Sequence, residues 1–376
     1  MKTLFITFSY LTGNGGGIYA SRTHINLFSH LSEEITLMYP SLCGEEPEGI
    51  YGNKMHLVPI IDKRTRIRKF VDLCFGKIHR FFLDKTFFDP QKFDTVVFDS
   101  SVVSACLIKN FRKVGIKTIT IHHNYQIEYL KGDCPWYLLP QSLLWTWVYE
   151  KQAVNNSDLN LTLTTQDVEL LKIHYSKSAK FEVLGVFEYR PRSIETVDDC
   201  ERGHRYVITG GLGSVQTETS ILRWLKEYYP ILKREDPEMT LTIAGSNPSV
   251  FLITAIKNEG IKIIPSPNEM RPILEHSDYY ICPIDCGGGL KLRNMDGLKY
   301  GLPVLTHIVS ARGYEKMQDN GLVISYYDSD SFEKGLRQLL KIKESRADIQ
   351  KAYWQLYQFD EGVRKLESIL RAVKII

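Results

Sequence analysis

The 376-residue chain predicts two successive doubly wound α/β domains. Three observations carry that reading. Short β-branched or apolar runs recur along both halves, helical stretches separate several of them, and one Pro-, Arg- and acid-rich stretch, Tyr189–His204, interrupts the series as a linker. Runs that are apolar throughout, rather than alternating, read as parallel strands buried on both faces and joined by helices. At about 150 residues per domain, two is the natural count.

The first series of strands is Leu4–Phe8, Ile35–Met38, Thr95–Phe98, Lys117–His122, Leu159–Leu163 and Phe181–Leu184, with helices at Ala20–Leu31 and Leu143–Asn155. The second is Tyr206–Thr209, Thr240–Ala244, Ile261–Ile264, Tyr279–Pro283, Val304–Thr306 and Leu322–Ser325. Helices are predicted there at Thr219–Glu235, Met295–Tyr300, Ser331–Ile342 and Ala347–Val373. The domains are expected to span 1–190 and 203–350, with a C-terminal helix over 351–376 packing back toward the first. In such sheets ligands bind beyond the carboxyl ends of the strands. Two such edges facing each other predict a ligand cleft.

Composition narrows the class. Hydrophobic residues make up 43% and charged residues 24%, which excludes a disordered or fibrous chain. The net charge is +3, so no global basic field invites nucleic acid. Seven scattered Cys form no CxxC pair, and Cys282 and Cys286 lack a second ligand pair, which fits a reduced cytosolic chain without zinc. The start, MKTLFITFSY, reads as a first strand rather than a signal peptide. No apolar run reaches the 18 residues a membrane span needs.

Three motifs carry chemistry. Gly13-Asn14-Gly15-Gly16-Gly17 follows the first strand and precedes a helix. Glycines there let backbone N–H groups approach a phosphate or sugar, the alternative being a plain flexible turn. The match to a dinucleotide fingerprint is loose. Ile121-His122-His123-Asn124 ends a strand, where neighbouring side chains face opposite ways, so one His at most can reach a given ligand. Glu128 is a candidate to orient a ring nitrogen or a substrate hydroxyl. The alternative is a packed or solvated His. The third and most informative motif runs from Asp285 through Gly287-Gly288-Gly289-Leu290-Lys291-Leu292-Arg293 to Asp296, then through Tyr300-Gly301-Leu302-Pro303 into the strand at Val304. It reads as a strand end, a glycine turn, a cation and a short helix. Lys291 suits a diphosphate, and Asp296 a ribose diol.

On these residues the chain resembles the group 1 (family 4) retaining glycosyltransferases of the GT-B fold, of the bacterial surface-polysaccharide type. The stretch Gly287–Gly313 carries most of the likeness. Glu150–Tyr175 and Tyr206–Gly245 resemble further parts of the family pattern. The resemblance implies an α/β GT-B architecture, two Rossmann-like domains facing across a cleft, the first for acceptor and the second for nucleotide sugar. It implies a hexosyltransferase (EC 2.4) that uses a nucleotide-diphosphate sugar as donor and a lipid-linked or polysaccharide acceptor. No metal is expected, since no DxD triplet sits at a strand end. Carried over by position, Lys291 contacts the diphosphate, Asp296 the ribose, and His123 the donor sugar. Gly15, Gly16, Gly17, Gly211, Gly288, Gly289, Leu290 and Arg293 belong to the donor site. Two departures stand out. Gly288 occupies the first position of the family's Glu-x7-Glu pair, and Leu212–Thr217 supplies no Arg or Lys, which leaves the diphosphate charge to Lys291 and Arg293.

Lys63–Lys92 holds nine Lys/Arg and three Asp, interleaved with six Phe. That composition predicts contact with an anionic membrane through Arg64, Arg66, Arg68 and Lys69, peripheral at the inner face of the cell membrane. The alternatives are a helix with its aromatic face in the core and its charges solvated, and a nucleic-acid surface, for which no recognised reader motif is present. Trp136–Tyr149 is a second candidate surface, with core packing the alternative. Two other functions compete: a GT-B epimerase acting on a nucleotide sugar alone, and a non-catalytic sugar-nucleotide-binding subunit.

Overall fold

The computed structural model describes residues 1–13, 15–52, 54–77, 92–134, 137–191 and 201–376. They form two compact units, Met1–Arg192 with Tyr357–Ile376, and Ser193–Leu356.

In chain order the first unit holds β1 (Lys2–Ile6), α1 (Gly16–Leu31), β2 (Glu34–Ser41), β3 (Met55–Ile61), α2 (Arg66–Cys74), β4 (Thr95–Phe98), α3 (Ser101–Lys113), β5 (Lys117–His122), α4 (Gln126–Asp133), α5 (Leu139–Asn156), β6 (Leu159–Thr162), α6 (Thr165–His174) and β7 (Phe181–Val183). The strands make one parallel sheet in the order β3-β2-β1-β4-β5-β6-β7. The second unit holds β8 (Arg205–Gly211), α7 (Val215–Glu227), α8 (Tyr229–Glu235), β9 (Thr240–Ser246), α9 (Val250–Asn258), β10 (Lys262–Pro265), α10 (Arg271–Glu275), β11 (Tyr279–Cys282), α11 (Arg293–Lys299), β12 (Val304–His307), α12 (Glu315–Asp319), β13 (Val323–Tyr326), α13 (Ser329–Leu339) and α14 (Arg346–Tyr357). Its sheet runs β10-β9-β8-β11-β12-β13. Every strand pairing in both sheets is parallel. The last helix, α15 (Phe359–Ala372), belongs to the first unit.

The central strands are apolar throughout because both faces are covered. Leu4, Phe5 and Ile6 are all fully buried, and they divide between two clusters: Phe5 packs with Ile25 and Phe28 of α1, and Leu4 and Ile6 with Val103 and Phe111 of α3. Burying each such side chain contributes roughly 1.5–3 kcal/mol. From α15, Phe359, Leu366 and Leu370 join the Phe5 cluster. A Cβ on Gly362 would meet the Phe187 ring at 2.7 Å, so only glycine lets that helix lie so close.

Three elements depart from the sequence expectation. β3 was not foreseen, because Pro59 speaks against a strand; it lies at the sheet's edge, where a missing N–H is tolerated. The helix expected over Thr219–Glu235 is two, α7 and α8, because Pro230 in the first turn of α8 cannot continue the preceding ladder. The helix expected over Ala347–Val373 breaks at Gln358, whose backbone is extended (φ −64°, ψ 157°).

Candidate functional site

Two clusters of polar side chains stand at strand carboxyl ends, one in each unit. In the first, Thr7, Asp99 and His123 each lie one residue past the ends of β1, β4 and β5, which are neighbours in the sheet. Sheet register therefore brings together residues far apart in sequence. Asp99 has no exposed side-chain surface. Its Oδ2 accepts the Thr7 hydroxyl at 2.8 Å, and its Oδ1 accepts His123 Nε2 at 2.7 Å. Burial pushes the Asp99 carboxyl up, but the His123 charge and hydrogen bond, with His24 and Ser21, outweigh it and hold Asp99 below the usual carboxylate range. Conversely, burial pulls His123 down, and Asp99 more than reverses that. His123 keeps 17% of its side chain exposed.

The two histidines of the HHN end separate as alternation requires. His122 is buried, bonds Asn160 Oδ1 at 2.9 Å on β6, and is pushed down to about 4 by burial. The carboxylate that holds His123 Nε2 is Asp99 rather than Glu128. Below it, His24 of α1 is fully buried, is pushed down to about 4 by burial and donates Nε2–H to the Gly185 carbonyl at 3.0 Å. His24, Asp99 and His123 lie close enough to ligate one metal ion. The 2.7 Å between His123 Nε2 and Asp99 Oδ1, however, is a hydrogen-bond length.

The α4 helix that follows His123 is anchored by two buried carboxylates. Asp167 accepts from the Tyr125 N–H at 2.8 Å, and Glu150 from the Gln126 N–H at 3.0 Å and the Tyr175 hydroxyl at 2.8 Å. Burial pushes Glu150 up to about 7. The glycine turn before α1 is open: Gly15, Gly16 and Gly17 are exposed, and a Cβ on Gly15 or Gly17 would meet nothing within 4 Å. Arg22 braces the turn through the carbonyls of Leu11 at 2.6 Å and Gly13 at 3.0 Å.

In the second unit, the turn after β11 runs through Gly287 and Gly289, at φ +81° and +70°, conformations that favour glycine. A Cβ on Gly287 would meet Gln216 Oε1 at 2.7 Å and Lys291 Nζ at 3.1 Å. Lys291 is half-buried and donates to the Gly288 carbonyl at 3.1 Å, and burial lowers it from the ordinary lysine value. Leu290 is likewise half-buried beside it. Arg293 reaches back across the loop after β8, donating to Thr217 Oγ1 at 2.6 Å and the Gly211 carbonyl at 3.1 Å. Its Nη1 is buried with no partner among the described residues. Gly210 makes room, at φ +134°, since a Cβ there would collide with the guanidinium. Arg293 thus supplies a cation to the loop whose own sequence, Leu212–Thr217, has none. Asp296 is exposed in the first turn of α11.

The basic stretch is only partly the free surface that its composition implies. Residues 78–91 and Trp136 lie outside the described residues. Arg64 is only 13% exposed and bridges Asp62 and Asp72, while Arg68 pairs with Asp72 and Lys69 with Asp62. Of the four expected membrane cations, three are thus tied to two carboxylates, because a long basic side chain folds onto the nearest acid. Ile67 and Phe70 of α2, and Phe75 just after it, are nonetheless at least 62% exposed. The C-terminal end of α2 is held by α5, where Gln141 and Trp145 donate to the Cys74 carbonyl. Among the described residues no helix is long and apolar enough to cross a membrane.

The two parallel sheets, each with helical crossovers, define a GT-B fold, and solved structures agree. Sucrose-phosphate synthase from Thermosynechococcus elongatus is 10% identical with TM-score 0.66, covering 99% of this chain and 98% of its own. The lipopolysaccharide outer core galactosyltransferase WaaB is 13% identical with TM-score 0.63, covering 99% of both. Anabaena HepE in complex with UDP is 10% identical with TM-score 0.64, covering 99% of this chain and 100% of its own. At such identities the likeness is one of fold. Residues 204–341 match the family model described as Glycosyl transferases group 1. A Klebsiella pneumoniae relative named as an uncharacterized 44.6 kDa protein in the cps region is 24% identical over 127 residues, 32% of this chain. The chain spans 33% of that relative's length.

Nucleoside diphosphate binding tests the second cluster. Arg293→Ala and Lys291→Ala are each expected to weaken UDP by about ten- to a hundredfold, since a charge-assisted contact contributes roughly 1.5–3 kcal/mol. Isothermal titration reads this directly. Unchanged dissociation constants in both variants would remove these cations from the diphosphate site.

Proposed function

We propose that the protein transfers a hexosyl group from a nucleotide-diphosphate sugar to a polysaccharide or lipid-linked acceptor in cell-surface glycan synthesis, with retention at the anomeric carbon and without a metal. One observation carries the reading: within the stretch that matches the group 1 glycosyltransferase model, Lys291 and Arg293 gather beside a glycine turn, and Arg293 keeps a buried donor with no partner among the described residues. A diphosphate supplies the oxygens those donors lack. Asp296 takes the ribose, and Gly211, Gly288, Gly289 and Leu290 line the donor. His123 contacts the donor sugar, with Gly15–Gly17 as further donor contacts. The names of HepE with UDP and of WaaB support a nucleotide donor and a surface-glycan role, and the cps-region relative points the same way.

Incubation with nucleotide sugars, with and without a glycan or lipid-linked acceptor, separates this from its rivals. Transfer that needs the acceptor is expected, with the anomeric configuration kept in the product. Conversion of the nucleotide sugar alone would indicate an epimerase. Binding without either reaction would indicate a non-catalytic subunit.

A peripheral position on the inner face of an anionic membrane accompanies this reading. The favouring observation is the exposed Ile67 and Phe70 of α2, with the exposed Phe75 just after it, beside the exposed Arg66. Substituting Arg64 would disturb its pairs with Asp62 and Asp72, so Ile67→Asp with Phe70→Asp is the cleaner variant. Wild type is expected to sediment with phosphatidylserine vesicles at low salt and the double variant to stay in the supernatant. Equal sedimentation of the two would overturn the membrane reading.

A further inference from the structure

We propose that Asp99 is the positioning residue for His123: it fixes the proton on Nε2, leaving Nδ1 as the nitrogen offered to the ligand. The inference deepens the reading in which His123 meets the donor sugar, and it rests on that reading for its role in turnover.

The argument is one of donors and acceptors. The Gly185 carbonyl can only accept, so His24 carries its proton on Nε2. The ring of His24 is neutral, so its Nδ1 is a bare lone pair, buried and without a hydrogen-bond partner among the described residues. That lone pair lies 4.0 Å from Asp99 Oδ1. Two acceptors facing each other repel unless positive charge sits beside them. His123 supplies it: its ring stands edge-on to His24, centroids 5.7 Å apart at 89°, and its Nε2 lies 2.7 Å from Asp99 Oδ1. An ionised carboxylate only accepts, so His123 Nε2 must hold the hydrogen. The other carboxylate oxygen is occupied by the Thr7 hydroxyl, and the Asp99 N–H bonds the Ile6 carbonyl at 2.9 Å, so the acid cannot swing away. The ring therefore has one fixed orientation and one titrating nitrogen, Nδ1.

Charge follows from the same contacts. The titratable groups facing His123 are Asp99 from the end of β4, His24 from α1 and its neighbour His122 on β5. His24 and His122 are both held neutral, each pushed down to about 4 by burial, so Asp99 dominates and favours the imidazolium. A charged ring donates from Nδ1, and a neutral one accepts there. Asp99 thus decides both which nitrogen meets the ligand and in which sense it bonds.

The test is histidine 15N NMR on the full chain across pH, with steady-state rates alongside. In the wild type, His123 is expected to keep Nε2 protonated throughout and to titrate above an ordinary imidazole. Asp99→Asn keeps an acceptor of the same shape without the charge, and should lower that titration by about one pH unit or more, a tenfold change in the ratio of charged to neutral ring. The pH profile of kcat should shift with it, while UDP affinity stays unchanged. Asp99→Ala should lose the fixed tautomer as well, with Asp99→Asn recovering the tautomer but not the charge. A wild-type His123 that titrates at or below the ordinary value overturns the proposal even if neither variant folds. So does an unshifted titration in Asp99→Asn, or binding of added Zn2+ that displaces the His123 proton. Should no nucleotide sugar bind, the functional reading fails, and the tautomer measurement still decides the role of Asp99.

Discussion

The guanidinium of Arg293 laid across the loop after β8 is the contact on which the second unit's site depends. It bonds Gly211 and Thr217, so it ties α11 to the far side of β11, where β8 lies next in the sheet. Gly210 has to be glycine for the side chain to pass. Lys291 folds onto Gly288, and Gln216 closes in on Gly287 from α7. These contacts converge on a glycine turn whose positive backbone angles are kept by the absence of side chains. The cluster's unmet donor on Arg293 is the physical reason to expect an anionic ligand there.

The first unit solves a different problem, that of holding charged groups in a dry sheet edge. Asp99 is buried yet ionised because His123, Thr7 and Ser21 surround it with positive charge and donors. Glu150, lacking a cation, is instead pushed up to about 7. It and Asp167 spend their acceptor capacity on the N–H groups at the start of α4, which secures the chain just past His123. The sheet thus positions His123 from below, and the α4 anchor fixes its exit.

Much of this arrangement was legible in the sequence, and the rest was lost for definite reasons. Apolar runs such as Thr95–Phe98 and Lys117–His122 mark buried parallel strands, and both lie where expected. Edge strand β3 hides behind Pro59 because its pairing compensates only on one side. Lys291 and Arg293 announce themselves by lying next to a glycine turn. The return of Arg293 to the loop after β8 needs the fold, since 76 residues separate it from Thr217. Asp99 and His24 were missed although Asp99 follows an apolar strand as His123 does. The signal was present in Val97-Phe98-Asp99, but only strand order shows that β4 is the neighbour of β5. Composition alone did not reveal the pairing of Arg64, since charge counting does not show that Asp72 sits within reach.

A structure of the protein crystallised with UDP tests the central claim most directly. The account expects the diphosphate in the second unit, with phosphate oxygens about 2.7–3.2 Å from the Arg293 guanidinium and the Lys291 ammonium. The same oxygens should reach N–H groups of the Gly287–Gly289 turn. A diphosphate bound elsewhere, with Arg293 still closed on Thr217 and its Nη1 unpartnered, would contradict it.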